Sequence, residues 1–167
     1  MAMDLRDYFQ LRCSEMLVME RDIWQMNNLM SRECQNRRIK ESFERHNEPT
    51  RQQISNLEQI VDRLGGMTGP DENPITQGMM RAHRLFMEMN PPQELIDVND
   101  ALEGEKTEHL EMASYTGLIT LAQQLGEDEI VQMLQQNLQS EKKMCGLLED
   151  ETPVLFSQQN EEKRKAA

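Results

Sequence analysis

Five side chains of this 167-residue chain have the chemistry to hold a metal ion together: Glu20, His46, Glu108, Glu111 and Glu141. Each interrupts a helical run of apolar positions. Met16, Glu20, Ile23, Asn27 and Met30 recur at spacings of three and four, so Glu20 has apolar neighbours one turn away on either side. Phe43, His46, Thr50, Gln53 and Leu57 place His46 on a similar face. Glu105, Glu108, Met112, Tyr115 and Ile119 draw Glu108 inward, with Glu111 three residues on and His109 at the edge. Leu134, Leu138, Glu141, Cys145 and Leu148 give Glu141 the same status. A buried carboxylate without a partner costs several kcal/mol, so a set of them must be protonated, paired or bound to a cation. Carboxylates with one imidazole suit iron or manganese better than the soft ions that thiolates select. The same pattern admits a reading without metal, in which Glu20 pairs with Arg12, Arg21 or a basic residue of another helix and His46 donates to a glutamate. Cys145 reads as a small core thiol.

Helices must position these groups. The period is close to 3.6 throughout and predicts a first helix from Asp4 to Met30, with Tyr8, Met16, Met19, Ile23, Met26 and Met30 on its apolar face. A second runs from Ser31 or Glu33 to Leu64, burying Ile39, Phe43, Leu57, Ile60 and Leu64. Pro49 lacks an amide hydrogen and crowds the preceding turn, so this helix is expected to kink or restart between Arg45 and Thr50. Gly65 to Asn73 reads as a loop, and Pro74 opens a shorter helix to Met89 with Ile75, Met79, Ala82, Phe86 and Met89 inward. After Asn90-Pro91-Pro92 come a long helix from Gln93 to Leu125 and, past Gly126, a last one from Glu127 to about Asp150. The expected architecture is all-α: a four-helix bundle whose one long connection carries the short fifth helix. It occupies residues 1–156, with a polar, disordered tail over 157–167.

Composition supports this. Aromatic residues make up 4 % of the chain and apolar ones 37 %, poor material for a β-sandwich. The 18 basic and 30 acidic side chains leave a formal charge of −12, which disfavours nucleic acid and anionic membranes and favours cations. No apolar run approaches a membrane span and no secretory leader is readable, so the expected location is the cytoplasm. Cys13, Cys34 and Cys145 lack CxxC spacing and read as free thiols. Met79, Met80, Phe86, Met87 and Met89 offer more apolar surface than one core needs, and a homodimer is expected to cover it.

From about Asp4 to Asp150 the chain also resembles a bacterial family of stress-associated proteins with a ferritin-like domain, once known only as a domain of unknown function. Its most recognisable segments here are EKTEHLEMASYTGLITLAQQLG, Glu105 to Gly126, and LQQNLQSEKK, Leu134 to Lys143. MERDI, Met19 to Ile23, and IKESFERHNEPTRQQISNLEQI, Ile39 to Ile60, match more weakly. The family is similar in fold to ferritins and rubrerythrins, and the resemblance implies a di-metal site inside the bundle. It carries the family's ligand positions onto Glu20, His46, Glu108, Glu111 and Glu141. This chain departs from the pattern at Pro49, where relatives often have a glutamate, at Gln53, where many have a histidine, and at Gln77 and Arg81, where acids are expected. It has no Glu-x-x-His pair of the kind a ferritin-like di-iron centre draws on. The resemblance thus implies iron or manganese with a possible stress role involving iron or peroxide. The alternative is a degenerate site without cofactor in a non-enzymatic structural or interaction protein.

Overall fold

The computed structural model describes residues 2–166, with side chains described through residue 157. Among the described residues there are five helices and no strand: α1 (Leu5–Glu33), α2 (Arg37–Leu64), α3 (Pro74–Glu88), α4 (Gln93–Leu125) and α5 (Asp128–Ala166). Caps set most of the boundaries. Asp4 accepts from the Asp7 amide while the Asp7 carboxylate accepts from the Asp4 amide, a reciprocal pair that opens α1. Asn36 accepts from the Arg38 and Ile39 amides at the start of α2, and Asn73 from those of Ile75 and Thr76 at the start of α3. Gly65 and Gly126, with φ of 111° and 70°, end α2 and α4 in the left-handed conformation glycine adopts without a steric penalty.

Short turns join α1 to α2 and α4 to α5. Each of these pairs packs together, α2 also packs on α5 and α1 on α4, and the four long helices close into a bundle. α3 lies against α1 within the long connection from α2 to α4. This is the expected all-α arrangement.

Several local expectations are corrected. Ser31 to Glu33 belong to the last turn of α1, so the break before α2 falls at residues 34–36. Its cause is tertiary: Asp97 of α4 accepts from the Gln35 and Asn36 amides at 2.7 and 2.9 Å and fixes the turn there. α2 neither stops nor restarts at Pro49, which sits inside a helix assigned continuously from Arg37 to Leu64. Packing on both sides holds the helix even though the Arg45 carbonyl loses its amide partner. α5 likewise passes Asp150 and Pro153 to reach Ala166, with Leu155 buried among residues of three other helices. The tail expected over 157–167 falls on residues whose side chains, Ser157 apart, lie outside the described residues. On α1 Phe9 is buried while Tyr8 is exposed.

The face of α3 is the largest surprise. Its buried residues are Thr76 and His83, both polar, while Ile75, Ala82 and Met89 are exposed. Met79, Met80, Phe86 and Met87 are partly buried. Thr76 Oγ1 donates to Asp22, and His83 pairs with Glu33, so directional polar bonds decide which side of α3 faces the bundle.

Two apolar clusters fill the bundle. One gathers Phe9, Ile23, Leu57, Ile60, Tyr115 and Leu134; the other Met30, Ile39, Phe43, Ala101, Met144 and Leu148. Gly104 permits close packing in the second, since a Cβ there would lie 3.0 Å from a Leu148 methyl and 3.1 Å from the Phe43 ring. Between the clusters, α2 presents His46 and Gln53, α4 Glu108 and Glu111, and α5 Asn137 and Glu141, all buried.

Candidate metal centre

All five sequence-predicted ligands meet in this polar layer. His46, Glu108 and Glu141 each offer a ligand atom within 4.8 Å of the other two, and Glu20, Glu111 and Glu141 form a second such trio. Glu141 belongs to both, so the arrangement is two adjoining sites sharing one carboxylate, where a single point of convergence would join all five. His46 Nε2 lies 3.2 Å from Glu141 Oε2 and 3.7 Å from Glu108 Oε1. Gln53 also enters the layer, its amide donating to Glu141 Oε1. Gln77 and Arg81 are exposed on α3 and take no part.

The expectation that arginines neutralise Glu20 fails. Arg12 pairs with Glu15 and Arg21 with Glu58 at the surface. Among the described residues, no lysine or arginine forms an ion pair with any of the four buried glutamates, whose ion pairs are with His46 alone. Their oxygens are correspondingly unsatisfied: Glu20 Oε2, both oxygens of Glu108, Glu111 Oε2 and Glu141 Oε2 have no hydrogen-bond partner, nor has His46 Nε2. Burial, reinforced by the charge of Glu141, pushes the carboxyls of Glu20, Glu108 and Glu111 well above the ordinary carboxylate range. Only protonation or a cation relieves such a set. A hard or borderline ion with oxygen preference fits the donors, and the clusters are compatible with iron or manganese, or with no cofactor.

Other residues hold the carboxylates in place. The Tyr115 hydroxyl donates to Glu20 Oε1, and Asn137 Nδ2 donates to that hydroxyl at 3.0 Å. Asn56 donates to Asn137 Oδ1 at 2.7 Å, completing a buried chain from α2 through α5 and α4 to α1. The sequence reading passed over Asn137, although Leu134, Asn137, Glu141 and Leu148 follow one face of α5 at spacings of three, four and seven. Cys145 lies beside the layer with Sγ 3.6 Å from His109 Nε2, and burial pushes its thiol up to about 11. It therefore remains protonated at neutral pH. Cys13, Cys34 and Cys145 are all free thiols.

Comparison with known proteins agrees with this architecture. Residues 4–161 match the model of the family described as Domain of unknown function, DUF892. The chain belongs to this family. Protein YciF of Escherichia coli K12 is 26 % identical over 139 residues, covering 83 % of this chain and 84 % of the relative. The crystal structure of the E. coli stress protein YciF, 24 % identical, superposes with a TM-score of 0.85 and covers 93 % of this chain and 99 % of that one. YcfI of Rhodopseudomonas palustris, at 25 % identity, gives a TM-score of 0.81 over 87 % and 93 % of the two chains. A protein of Xanthomonas campestris pv. campestris, 20 % identical, gives 0.77 over 96 % and 99 %. The fold of this chain is thus shared with these solved structures. No described helix here is long and apolar enough to cross a membrane.

Proposed function

We propose that this DUF892 member binds iron or manganese in the bundle through Glu20, His46, Glu108, Glu111 and Glu141, in a stress-related role involving iron or peroxide. The observation that carries the reading is the set of buried carboxylate oxygens without partners, facing one imidazole and no basic side chain. A bound iron would supply electron exchange with O₂ or H₂O₂. The chain's own part is to hold and orient: Tyr115 fixes the Glu20 carboxylate, Gln53 that of Glu141, and Asn137 ties the two sides together. The stress context comes from the E. coli relative, which is described as a stress protein. Cytoplasmic residence and a homodimer complete the proposal. Ile75, Leu85 and Met89, exposed on and just after α3, offer an apolar face for self-association. A monomer mass independent of concentration in sedimentation would remove the dimer.

A second reading, a non-enzymatic structural or interaction protein, is favoured by the missing Glu-x-x-His pairs and by Pro49 and Gln53 in place of the family's usual residues. Calorimetric titration of Mn(II), or of Fe(II) without oxygen, into chelator-treated protein separates the two. Wild type is expected to bind at least about tenfold more tightly than Glu141→Gln, which keeps the volume but removes the shared anionic ligand. Equal, negligible uptake by both proteins, with a higher melting temperature for the variant, would leave only the bundle.

A further inference from the structure

A second ionisable group lies where α3 crosses the bundle. Glu33 ends α1, His83 is on α3 and Asp100 is on α4. At 1.5 Å per residue, Glu33 is about 20 Å along α1 from Glu20, and Asp100 about 12 Å along α4 from Glu108, so the group is distinct from the central layer. His83 Nε2 lies 2.7 Å from Glu33 Oε2, and the other ring nitrogen 3.8 Å from Asp100 Oδ1. One ligand atom from each residue lies within 4.8 Å of the other two.

Asp100 is what requires explanation. It is 0 % exposed, and neither of its oxygens has a hydrogen-bond partner. His83 Nδ1, on a side chain 6 % exposed, lacks one as well, and 3.8 Å is too long for a direct bond between them. The gap leaves two buried ligand atoms facing each other unsatisfied. Nearby Asp97 contrasts sharply, since its oxygens accept from the Gln35 and Asn36 amides and from Gln93. A cavity of about 80 Å³, lined by Met26, Leu29, Met30, Met80, His83 and Arg84, opens beside the ring. The carbonyl end of α1 adds negative potential where Glu33 stands.

We propose that Glu33, His83 and Asp100 form a second cation site, independent of the central one, which takes a divalent ion of mixed nitrogen and oxygen preference such as Zn(II) and fastens α3 to α1 and α4. One imidazole and two carboxylates make three protein ligands, leaving a position for water. The ion would supply the charge that Asp100 lacks.

The test is Zn(II) titration of chelator-treated full-length protein carrying ¹⁵N-labelled histidine, followed by NMR at the ring nitrogens. His83 is expected to shift with stoichiometric Zn(II) in wild type and equally in Glu141→Gln. Asp100→Asn and Glu33→Gln should each weaken that response by at least about tenfold, with helical content checked by circular dichroism. His83 resonances unmoved by Zn(II) in wild type would overturn the proposal, as the triad would then be a closed group in which His83 alone serves both acids. So would an unchanged response in both folded variants. The central site reports separately through His46, so either proposal can fail while the other stands.

Discussion

The bundle's apolar clusters and the carboxylate layer between them are built on the same four helices by opposite rules. Around Phe43 and Leu148 the packing is so close that Gly104 has no room for a Cβ, which would lie 3.0 Å from a Leu148 methyl and 3.1 Å from the Phe43 ring. One to two turns away along the same helices, Glu108 and Glu141 are equally buried, yet three of their oxygens have no partner. The ends therefore stabilise the fold whatever the conditions. The middle spends part of that stability to keep anionic ligands dry and close together, which is worthwhile only where a cation or a proton relieves them.

The largest effect should follow from damaging an end. Phe43→Ala empties a fully buried ring site and should cost about 3–5 kcal/mol in denaturant unfolding. A loss under about 1 kcal/mol would mean the cluster collapses freely around the hole. In the layer the sign should reverse. At a pH where Glu108 is ionised, Glu108→Gln in metal-free protein removes a charge with two unsatisfied oxygens and should stabilise by roughly 1–3 kcal/mol, while weakening Mn(II) binding. A destabilised variant would indicate that His46 and Glu108 form a net favourable pair, and the contrast would shrink.

The same contrast gives a pH dependence. Glu20, Glu108 and Glu111 titrate above their ordinary value of 4.5 in the folded state, so folding takes up protons there. Their contribution is complete below about 4.5 and is lost as pH rises through the raised values. Melting temperatures of metal-free protein should therefore fall in that direction. With saturating Mn(II) the fall should be offset, because metal displaces the protons and binds more tightly as pH rises. Parallel curves with and without Mn(II) would count against the metal reading. The smallest effect belongs to the surface: Arg21→Ala, which breaks the exposed pair with Glu58, should change stability by less than about 1 kcal/mol and leave metal uptake untouched.

Much of this was legible in the sequence, because a charge at an apolar helical position shows through any small slip of register. The burial and clustering of Glu20, His46, Glu108, Glu111 and Glu141 were legible for that reason, as were the five helices and the glycines that end α2 and α4. Decisions made by distant partners were not legible. Asp97 set the turn at residues 34–36 from another helix, and neighbouring helices carried α2 through Pro49. On α3 the apolar stripe gave only part of the face, Met79 and Phe86 being half-buried, since Thr76 and His83 found acids on α1 and α4 whose positions no local pattern encodes. The Glu33–His83–Asp100 group escaped notice for the same reason.

The polar docking of α3 also bears on heat capacity. Unfolding draws its large heat capacity from apolar surface newly exposed to water. Detaching α3 would expose Thr76, His83 and parts of Met79, Met80, Phe86 and Met87, a small share of what the other four helices bury. Its release should therefore have little calorimetric signature and depend weakly on urea. The α3 amides should exchange with deuterium through a local, nearly urea-independent opening, while those of Phe43, Tyr115 and Leu148 exchange only through global unfolding. α3 would then behave as a latch, free to move on a time scale at which the bundle beneath it stays shut.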